Sequence, residues 1–406
     1  MRIELRNVTV AFVTAIAVVS PLRAYSWPVG TWESFATSAD GTKIAALSNA
    51  EAGAAGGIYI STNSGATWRI STSLNVDWEA VASSADGSKL IAASGWDSDT
   101  GIVYISTNYG GNWTQVNSLP TAEWNSVSSS ADGKKLTAVA VNVPAIYTST
   151  NSGTDWTRET NGLGGAGFDY IACSADGTKL IAAEGGAQGG QLYTSSDSGA
   201  NWLQASNAPV ANWYSVASSA NGSQLLACSY FAGNVYISTN AGLDWDQTRL
   251  PTNGWNSVAS SADGTKLVAL ANSGSATVGV GTGGIWTSTD SGITWVSNKV
   301  QSASWTCAAM SADGNEVIAG LGYPSTLGAI YVSQAMPSPV LKLMPCSTNF
   351  VLSWIIPSTN FVLQQSPDLI SWNNVTNSPT LNLTNLQNQI VQSPSNDSGF
   401  YRLATP

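Results

Sequence analysis

Histidine is absent from all 406 residues. That removes the commonest general base and the commonest metal ligand together. Charge is scarce too: 10% of residues are Asp, Glu, Lys or Arg, against 43% that are hydrophobic. Helix bundles need charged outer faces, so this composition fits them poorly. The four cysteines, Cys173, Cys228, Cys307 and Cys346, contain no CxxC pair, which leaves a zinc or redox motif unsupported. In the repeat described below, Cys173 and Cys307 replace mostly small residues and Cys228 an apolar one. Buried thiols are therefore expected, although an oxidising compartment would permit bridges. No cofactor motif is present, and none is expected.

The first apolar run, Val8 to Val19, is interrupted only by Thr9 and Thr14 and is too short to span a bilayer. It follows Arg2 and Arg6. The arrangement reads as a secretory signal over residues 1–24, with cleavage near Ala24, although Leu22 is larger than the small residue usual at that position. An uncleaved anchor is the other reading. Cleavage would remove three arginines and one glutamate, taking the net charge from −10 to −12. An acidic surface repels phosphate backbones, so nucleic acid is not an expected partner. The expectation is a secreted or cell-surface monomer without an integral membrane segment after cleavage.

What the chain has in quantity is Gly, Ser, Thr, Asn and Ala, with 17 Trp, as suits an all-β protein with many turns. Its main feature is a repeat, Trp-x-x-x-x-x-Ser-Ala-Asp-Gly-x-Lys-Leu. The turns are Asp40-Gly41, Asp86-Gly87, Asp132-Gly133, Asp176-Gly177, Asn221-Gly222, Asp263-Gly264 and Asp313-Gly314, spaced by 46, 46, 44, 45, 42 and 50 residues. Seven such units match a seven-bladed β-propeller with four antiparallel strands per blade. In the second unit, strands are expected at Trp78–Ser84 (A), Leu90–Ala93 (B), Ile102–Thr107 (C) and Trp113–Val116 (D). Asp86-Gly87 should close a tight A–B hairpin. Lys follows Asp by three residues in five units, and both charges vanish together at Asn221/Gln224. That predicts a contact between the two side chains across the turn, a contact that the seventh unit breaks with Asp313/Glu316.

A second turn recurs as Ser-x-Asn/Asp-x-Gly-x-x-Trp, from Ser61-Thr-Asn63-Ser-Gly65-Ala-Thr-Trp68 to the copy ending at Trp295. It resembles the Asp-box of the bacterial neuraminidase repeat. The resemblance covers most of residues 61–295 and implies a propeller. In that family the boxes lie away from the active site. The seventh unit lacks this turn's Trp and its strand D. The stub at Tyr25–Trp27 aligns with the end of a strand D, which predicts that the N-terminus completes the last blade. The propeller then spans 25–336. Residues 338–406 lose the repeat and show alternating runs at Phe350–Trp354, Phe361–Gln365 and Phe400–Leu403, the pattern of a small β-sandwich-like module. With Asp368 to Trp372 and the terminal Phe-Tyr-Arg-Leu, it resembles the C-terminal modules of secreted bacterial repeat proteins.

Strand direction puts the A–B and Asp-box turns on one face and the D–A and B–C loops on the other. The second face varies between units, so binding is expected there. Its candidate residues are Asp77, Trp96, Asp97, Asp99, Glu123, Asp169, Tyr230 and Tyr323, a set of acids beside aromatics that suits sugar stacking and hydroxyl recognition. Glu33, Glu79, Glu184 and Phe231 accompany them. The repeated aromatics Trp32, Trp78, Trp124, Phe168, Trp213, Trp255 and Trp305 open the A strands. They should ring this face or wedge adjacent blades apart, and their recurrence in every unit favours the wedge. Asp97-Ser-Asp99-Thr-Gly101 has some acids of a calcium loop but lacks the remaining ligands, so no metal is expected.

Sialidases of the resembled family grip a carboxylate with three arginines. Here Arg69, Arg158 and Arg249 all follow an Asp-box Trp, toward the blade's outer edge. Asp-box xyloglucanases place their cleft between two tandem propellers, and this chain has one. The photosystem II assembly propeller, also similar in blade count, carries a basic patch that this acidic chain lacks. The expected function is a non-catalytic binding or scaffold propeller for a glycan or protein. A glycoside hydrolase using paired carboxylates, such as Asp77 with Asp97, is the alternative.

Overall fold

The computed structural model describes residues 23–25, 31–49, 56–72, 76–95, 100–185, 189–230, 233–272, 283–298, 303–322, 330–334, 342–346, 349–355, 362–366, 371–376, 379–382, 387–392 and 400–404. Seven four-stranded antiparallel sheets form the propeller blades. In the second blade the strands are Trp78–Ser83, Leu90–Ser94, Val103–Ser106 and Thr114–Gln115. The B strand is buried along its whole length, as a strand covered on both faces should be, while the short D strand is exposed.

The repeated aromatics are wedges. All seven are at most 1% exposed. Each joins the core between its own blade and the one before. Trp78 packs with Leu47, Ile58 and Ile60 of the first blade, and Trp32 closes the circle against Ile318 and Ile330 of the seventh. Each also meets an aromatic on its own strand C nearly edge-on, as with Trp78 and Tyr104 at 5.5 Å and 61°. A ring of exposed aromatics on the variable face therefore does not form. Seven indole or phenyl groups are instead used to hold blades apart at constant spacing.

The Asp-Gly turn is wider than a two-residue hairpin. The Ser84 amide donates to the Lys89 carbonyl at 2.9 Å and Gly87 returns to Ser84 at 2.9 Å, with Gly87 at φ 74°. The same turns also meet at the propeller axis. Each turn's alanine donates its N–H to the carbonyl of the next blade's alanine: Ala39 to Ala85, then to Ala131, Ala175, Ala220, Ala262 and Ala312, which returns to Ala39, all at 2.7–2.9 Å. A closed belt of backbone hydrogen bonds results.

The Lys side chains cross blade boundaries rather than their own turns. Lys89 Nζ donates to the Asp132 carbonyl at 3.0 Å, and Lys266 Nζ to that of Asp313 at 2.9 Å. Within a turn the aspartate is already occupied: Asp86 Oδ1 accepts from Ser84 Oγ at 2.6 Å and from the Ser88 amide at 2.9 Å. The Lys stem lies instead over the next blade's turn glycine. A Cβ on Gly133 would stand 2.6 Å from Lys89 Cδ. Glu316 occupies the same place over Gly41 where blade seven meets blade one.

Blade seven takes its fourth strand from the N-terminus. Arg23–Tyr25 pairs antiparallel with Ile330–Gln334, Arg23 opposite Val332 and Tyr25 opposite Ile330. The strand lies two residues earlier than the expected stub. Cleavage after Ala24 would leave only Tyr25 of it. A chain starting at Ser26 is expected to melt several degrees below the full chain by circular dichroism, since a blade loses an edge strand; equal melting would show that blade packing alone closes the ring.

Beyond the propeller, Lys342–Cys346, Asn349–Ile355, Gln387–Gln392 and Thr380–Asn382 form one sheet, and Asn373–Asn374, Val362–Ser366 and Phe400–Ala404 another. Leu352, Trp354 and Ile390 of the first share a buried core with Leu363 of the second. Cys173, Cys228 and Cys307 are free thiols, and burial raises all three, Cys173 to about 11. No helix among the described residues is long and apolar enough to cross a membrane.

Candidate ligand-binding face

The two loop faces differ as chemistry. On one, the Ser-x-Asn/Asp-x-Gly-x-x-Trp turns dock on the A–B turns, Ser64 donating to the Thr42 carbonyl at 2.9 Å and Tyr109 to that of Ser88 at 2.9 Å. These turns hold themselves together. Ser61 Oγ accepts the Gly65 amide at 2.9 Å, Asn63 Oδ1 accepts the Thr67 amide at 2.8 Å, and the Trp68 indole donates to the Gly65 carbonyl at 3.0 Å. This face repeats, and it carries Lys43, Lys89, Lys134, Lys135, Lys179 and Lys266. Arg69, Arg158 and Arg249 lie on or just after outermost strands, exposed and far from the axis.

The other face is built around the starts of the A strands. Every A strand has a register shift just after its repeated aromatic, for example between Trp78 and Ala80. The bulge re-aims the next residue. In six blades that residue, Glu33, Glu79, Asn125, Tyr214, Asn256 or Thr306, lines an axial cavity of about 200 Å³. Blade four has Asp169 in that column and contributes Tyr170 to the lining. Around the axis, serines one residue further on tie blades together: Ser34 Oγ accepts the Val81 amide at 3.2 Å, and Ser257 Oγ accepts that of Ala308 at 3.0 Å.

The rim residues have backbone duties as well. The residue before each repeated aromatic accepts an N–H from the end of strand B: Asp77 from Gly95 at 3.1 Å, Glu123 from Val141 at 3.1 Å, Asn212 from Tyr230 at 3.1 Å. D–A and B–C loops are thereby fastened together. Asp77 is exposed, while Glu123, Asp169 and Tyr230 are half-buried.

Three of the expected residues converge near blades three to five. Asp169 packs onto the backbone of Gly185, where a Cβ would lie 2.0 Å from its Oδ2. Its Oδ1 is wholly buried and accepts no hydrogen bond. Burial, then the neighbouring Glu123, pushes its carboxyl up to about 6. Tyr230 stacks on Tyr214 at 4.7 Å and 23°, and Tyr214 lies 6.2 Å from Tyr170. Burial, Tyr230 and Asp169 raise the Tyr214 phenol. Asp77 does not join this group. Trp96, Asp97, Asp99, Phe231 and Tyr323 lie outside the described residues. Glu184 is buried and structural, accepting from the Gln191 amide at 3.1 Å and the Tyr193 hydroxyl at 3.2 Å. Sequence reasoning missed Tyr170 and Tyr214. The signal for Tyr214 was the column after the repeated aromatic, which runs Glu33, Glu79, Asn125, Asp169, Tyr214, Asn256 and Thr306, while Tyr170 replaces the serine of the next column.

No protein-family model matches the chain, and no curated protein matches it in sequence. Among solved structures, the chain is similar to the GH74 xyloglucanase from Xanthomonas campestris, with TM-score 0.59 and 14% identity over 82% of this chain and 60% of that one. It is similar to YCF48 from Cyanidioschyzon merolae, with TM-score 0.57 and 14% identity over 78% of this chain and 99% of that one. A YCF48 structure bound to D1 peptide gives TM-score 0.56 and 15% identity, covering 78% and 96%. At these identities the likeness shows the fold alone. The present chain spans 60% of the xyloglucanase's length.

Proposed function

We propose that this is a secreted, non-catalytic binding or scaffold propeller that recognises a glycan or protein through the D–A and B–C face. The observation that carries the reading is the column behind the bulge. It places two glutamates, two asparagines, a tyrosine and a threonine around one cavity, Glu33, Glu79, Asn125, Asn256, Tyr214 and Thr306, on a scaffold whose opposite end is seven identical alanines. Variation confined to one end of a rigid barrel is the signature of a ligand site. The leader-like residues 1–24 support export, and the Ser-x-Asn/Asp-x-Gly-x-x-Trp turns, read as Asp-boxes, act as structural clamps.

A glycoside hydrolase is the second reading. It is favoured by Asp169, whose carboxyl is pushed up to about 6 by burial and then by the neighbouring Glu123. A carboxyl whose hold on its proton is raised, beside a second carboxyl, is a pairing that glycosidic cleavage uses. The test is a glycan and peptide array on the purified protein, repeated with Tyr214→Ala, with a sugar-release assay on the same glycans. Array binding that falls about tenfold or more in the variant, without release, supports the binding face. Released sugar overturns the non-catalytic reading. Binding unaffected by Tyr214→Ala moves the ligand off this face.

A further inference from the structure

The face of the A–B and C–D turns repeats closely, and one seam on it breaks the repeat. Side chains of a D strand, or of the residues just after it, cross to the next blade's C–D turn. Arg69 donates to the Tyr109 carbonyl at 2.8 Å, Ser71 to that of Gly110, and the Trp113 indole to Ser71 Oγ at 2.9 Å. Asn161, five residues after Trp156, bonds Asn201. Asn207, five after Trp202, donates to the Leu243 carbonyl at 3.1 Å. Blade two has the shorter Ser118 at that place, and Thr114 where blade one has Arg69. Among the described residues, no hydrogen bond joins residues 114–118 to the C–D turn of blade three. The seam stays open as a groove of about 540 Å³, a size usual for a small-molecule site.

The lining is uniform in chemistry. Asn108, Asn112, Gln115 and Asn117 bring carboxamides, Thr107 and Thr154 bring hydroxyls, and no ionisable side chain takes part. All six are exposed, while Ile105 is half-buried and Val116 buried. The nitrogen of Asn108 is the telling detail. Asparagines in this position of other blades tie theirs down: Asn63 Nδ2 donates to Thr67 Oγ1 at 2.9 Å, Asn151 Nδ2 to Asp155 Oδ2 at 2.8 Å and Asn240 Nδ2 to Asp244 Oδ2 at 2.8 Å. Asn108 Oδ1 accepts the Asn112 amide at 2.8 Å as its counterparts do, but its Nδ2 donates to no described residue.

A carboxamide donates and accepts at once, and so does a sugar hydroxyl, so the two satisfy each other in pairs. An ionic ligand would find no counter-charge in the lining. A wholly apolar one would strip water from the amides and replace none of its bonds. Ile105 and Val116 offer an apolar patch to the C–H face of a sugar ring. We propose that the groove between blades two and three binds a neutral oligosaccharide through Asn108, Asn112, Gln115 and Asn117. The site lies on the outer strands beside the C–D turns, so it stands apart from the D–A and B–C face and does not depend on that face being a ligand site.

The experiment titrates the full chain with cellohexaose, xylohexaose, mannohexaose and maltohexaose by isothermal titration calorimetry. At least one of them is expected to bind, with an affinity that salt does not change. Asn112→Ala and Asn117→Ala should each weaken that binding by about three- to tenfold. Ser118→Asn gives blade two the side chain that crosses the seam in blades three and four, and should weaken it too. Thr154→Arg should abolish it by filling the groove. All four positions are exposed, and circular dichroism confirms that each variant is folded. Tyr214→Ala, on the other face, should leave the binding unchanged. If no hexaose binds, the proposal is overturned, as it is by binding that none of the groove variants changes. Binding lost in Tyr214→Ala but kept in the groove variants would overturn the groove and leave the axial face standing. The reverse pattern supports the groove and moves the glycan off the axial face.

Discussion

Trp255→Ala is expected to lower the unfolding free energy by about 3–5 kcal/mol, the range for emptying a fully buried aromatic site. Trp255 is wholly buried between blades five and six, against Leu226, Cys228 and Val235 of the blade before. Its ring meets Trp286 at 5.0 Å and 73°. Both the blade interface and the edge-on aromatic contact are lost at once. Strands on either side are fixed by their own ladders and by the axial belt, so they cannot close over the gap. Urea unfolding followed by far-ultraviolet circular dichroism measures the shift. A loss below about 1 kcal/mol would mean the aromatic is not a wedge. The half-buried Trp245, whose indole donates to the Gly242 carbonyl at 3.2 Å, should cost less.

Stability should fall as pH rises from about 4 to about 8, and Asp169→Asn should recover part of the loss. Burial raises the carboxyls of Asp169 and Asp313 to about 6 from 3.8. Below 3.8 both folded and unfolded chains hold these protons, and nothing is lost. Between the two values the unfolded chain gives up its protons while the folded chain keeps them. Each group therefore penalises folding progressively, by up to about 3 kcal/mol above pH 6. The turn aspartates act oppositely. Burial works to raise Asp86, but hydrogen bonds from Ser84 and Ser88 and the charge of Lys43 in the preceding blade outweigh it and hold it low. Asp132 and Asp176 follow suit. Their contribution disappears as pH falls through those lowered values. The optimum is thus mildly acidic. Melting temperatures of the parent and Asp169→Asn across this range are the measurement. The variant should gain about 1–3 kcal/mol at pH 8 and converge with the parent near pH 4. Parallel curves would mean that Asp169 ionises normally.

Most of the propeller is written in the Asp-Gly turns, because a turn glycine at positive φ tolerates little substitution and so marks each blade plainly. The wedge role of Trp78 and its equivalents followed from their recurrence. Three features were hidden for physical reasons. The Lys partner was misplaced because Asp86 and Asp132 stand in the same column of the repeat, so the paired change at Asn221/Gln224 suited a contact within a blade or across two. Tyr214 was hidden because simple strand alternation says nothing of a bulge, and the bulge decides which side chain reaches the axis. The alanine of Ser-Ala-Asp-Gly looked like a turn residue, and only three-dimensional closure shows what its backbone does.

That backbone belt also sets an electrical boundary condition. A helix stacks its peptide dipoles along an axis and acquires a positive and a negative pole. Here seven peptide N–H groups, from Ala39 round to Ala312, all point in one rotational sense around the axis. Their dipoles run head to tail in a circle, and in a sevenfold ring the tangential components cancel. The belt can strengthen its own bonds by mutual polarisation, yet it offers no pole to an approaching ion. The belt itself is in this sense electrically mute, and the charge at its end comes from the turn aspartates and lysines around it. A charged partner therefore takes its bearings from side chains, which repeat from blade to blade at that end and change around the far mouth from Glu33 and Glu79 to Asn125, Tyr214, Asn256 and Thr306.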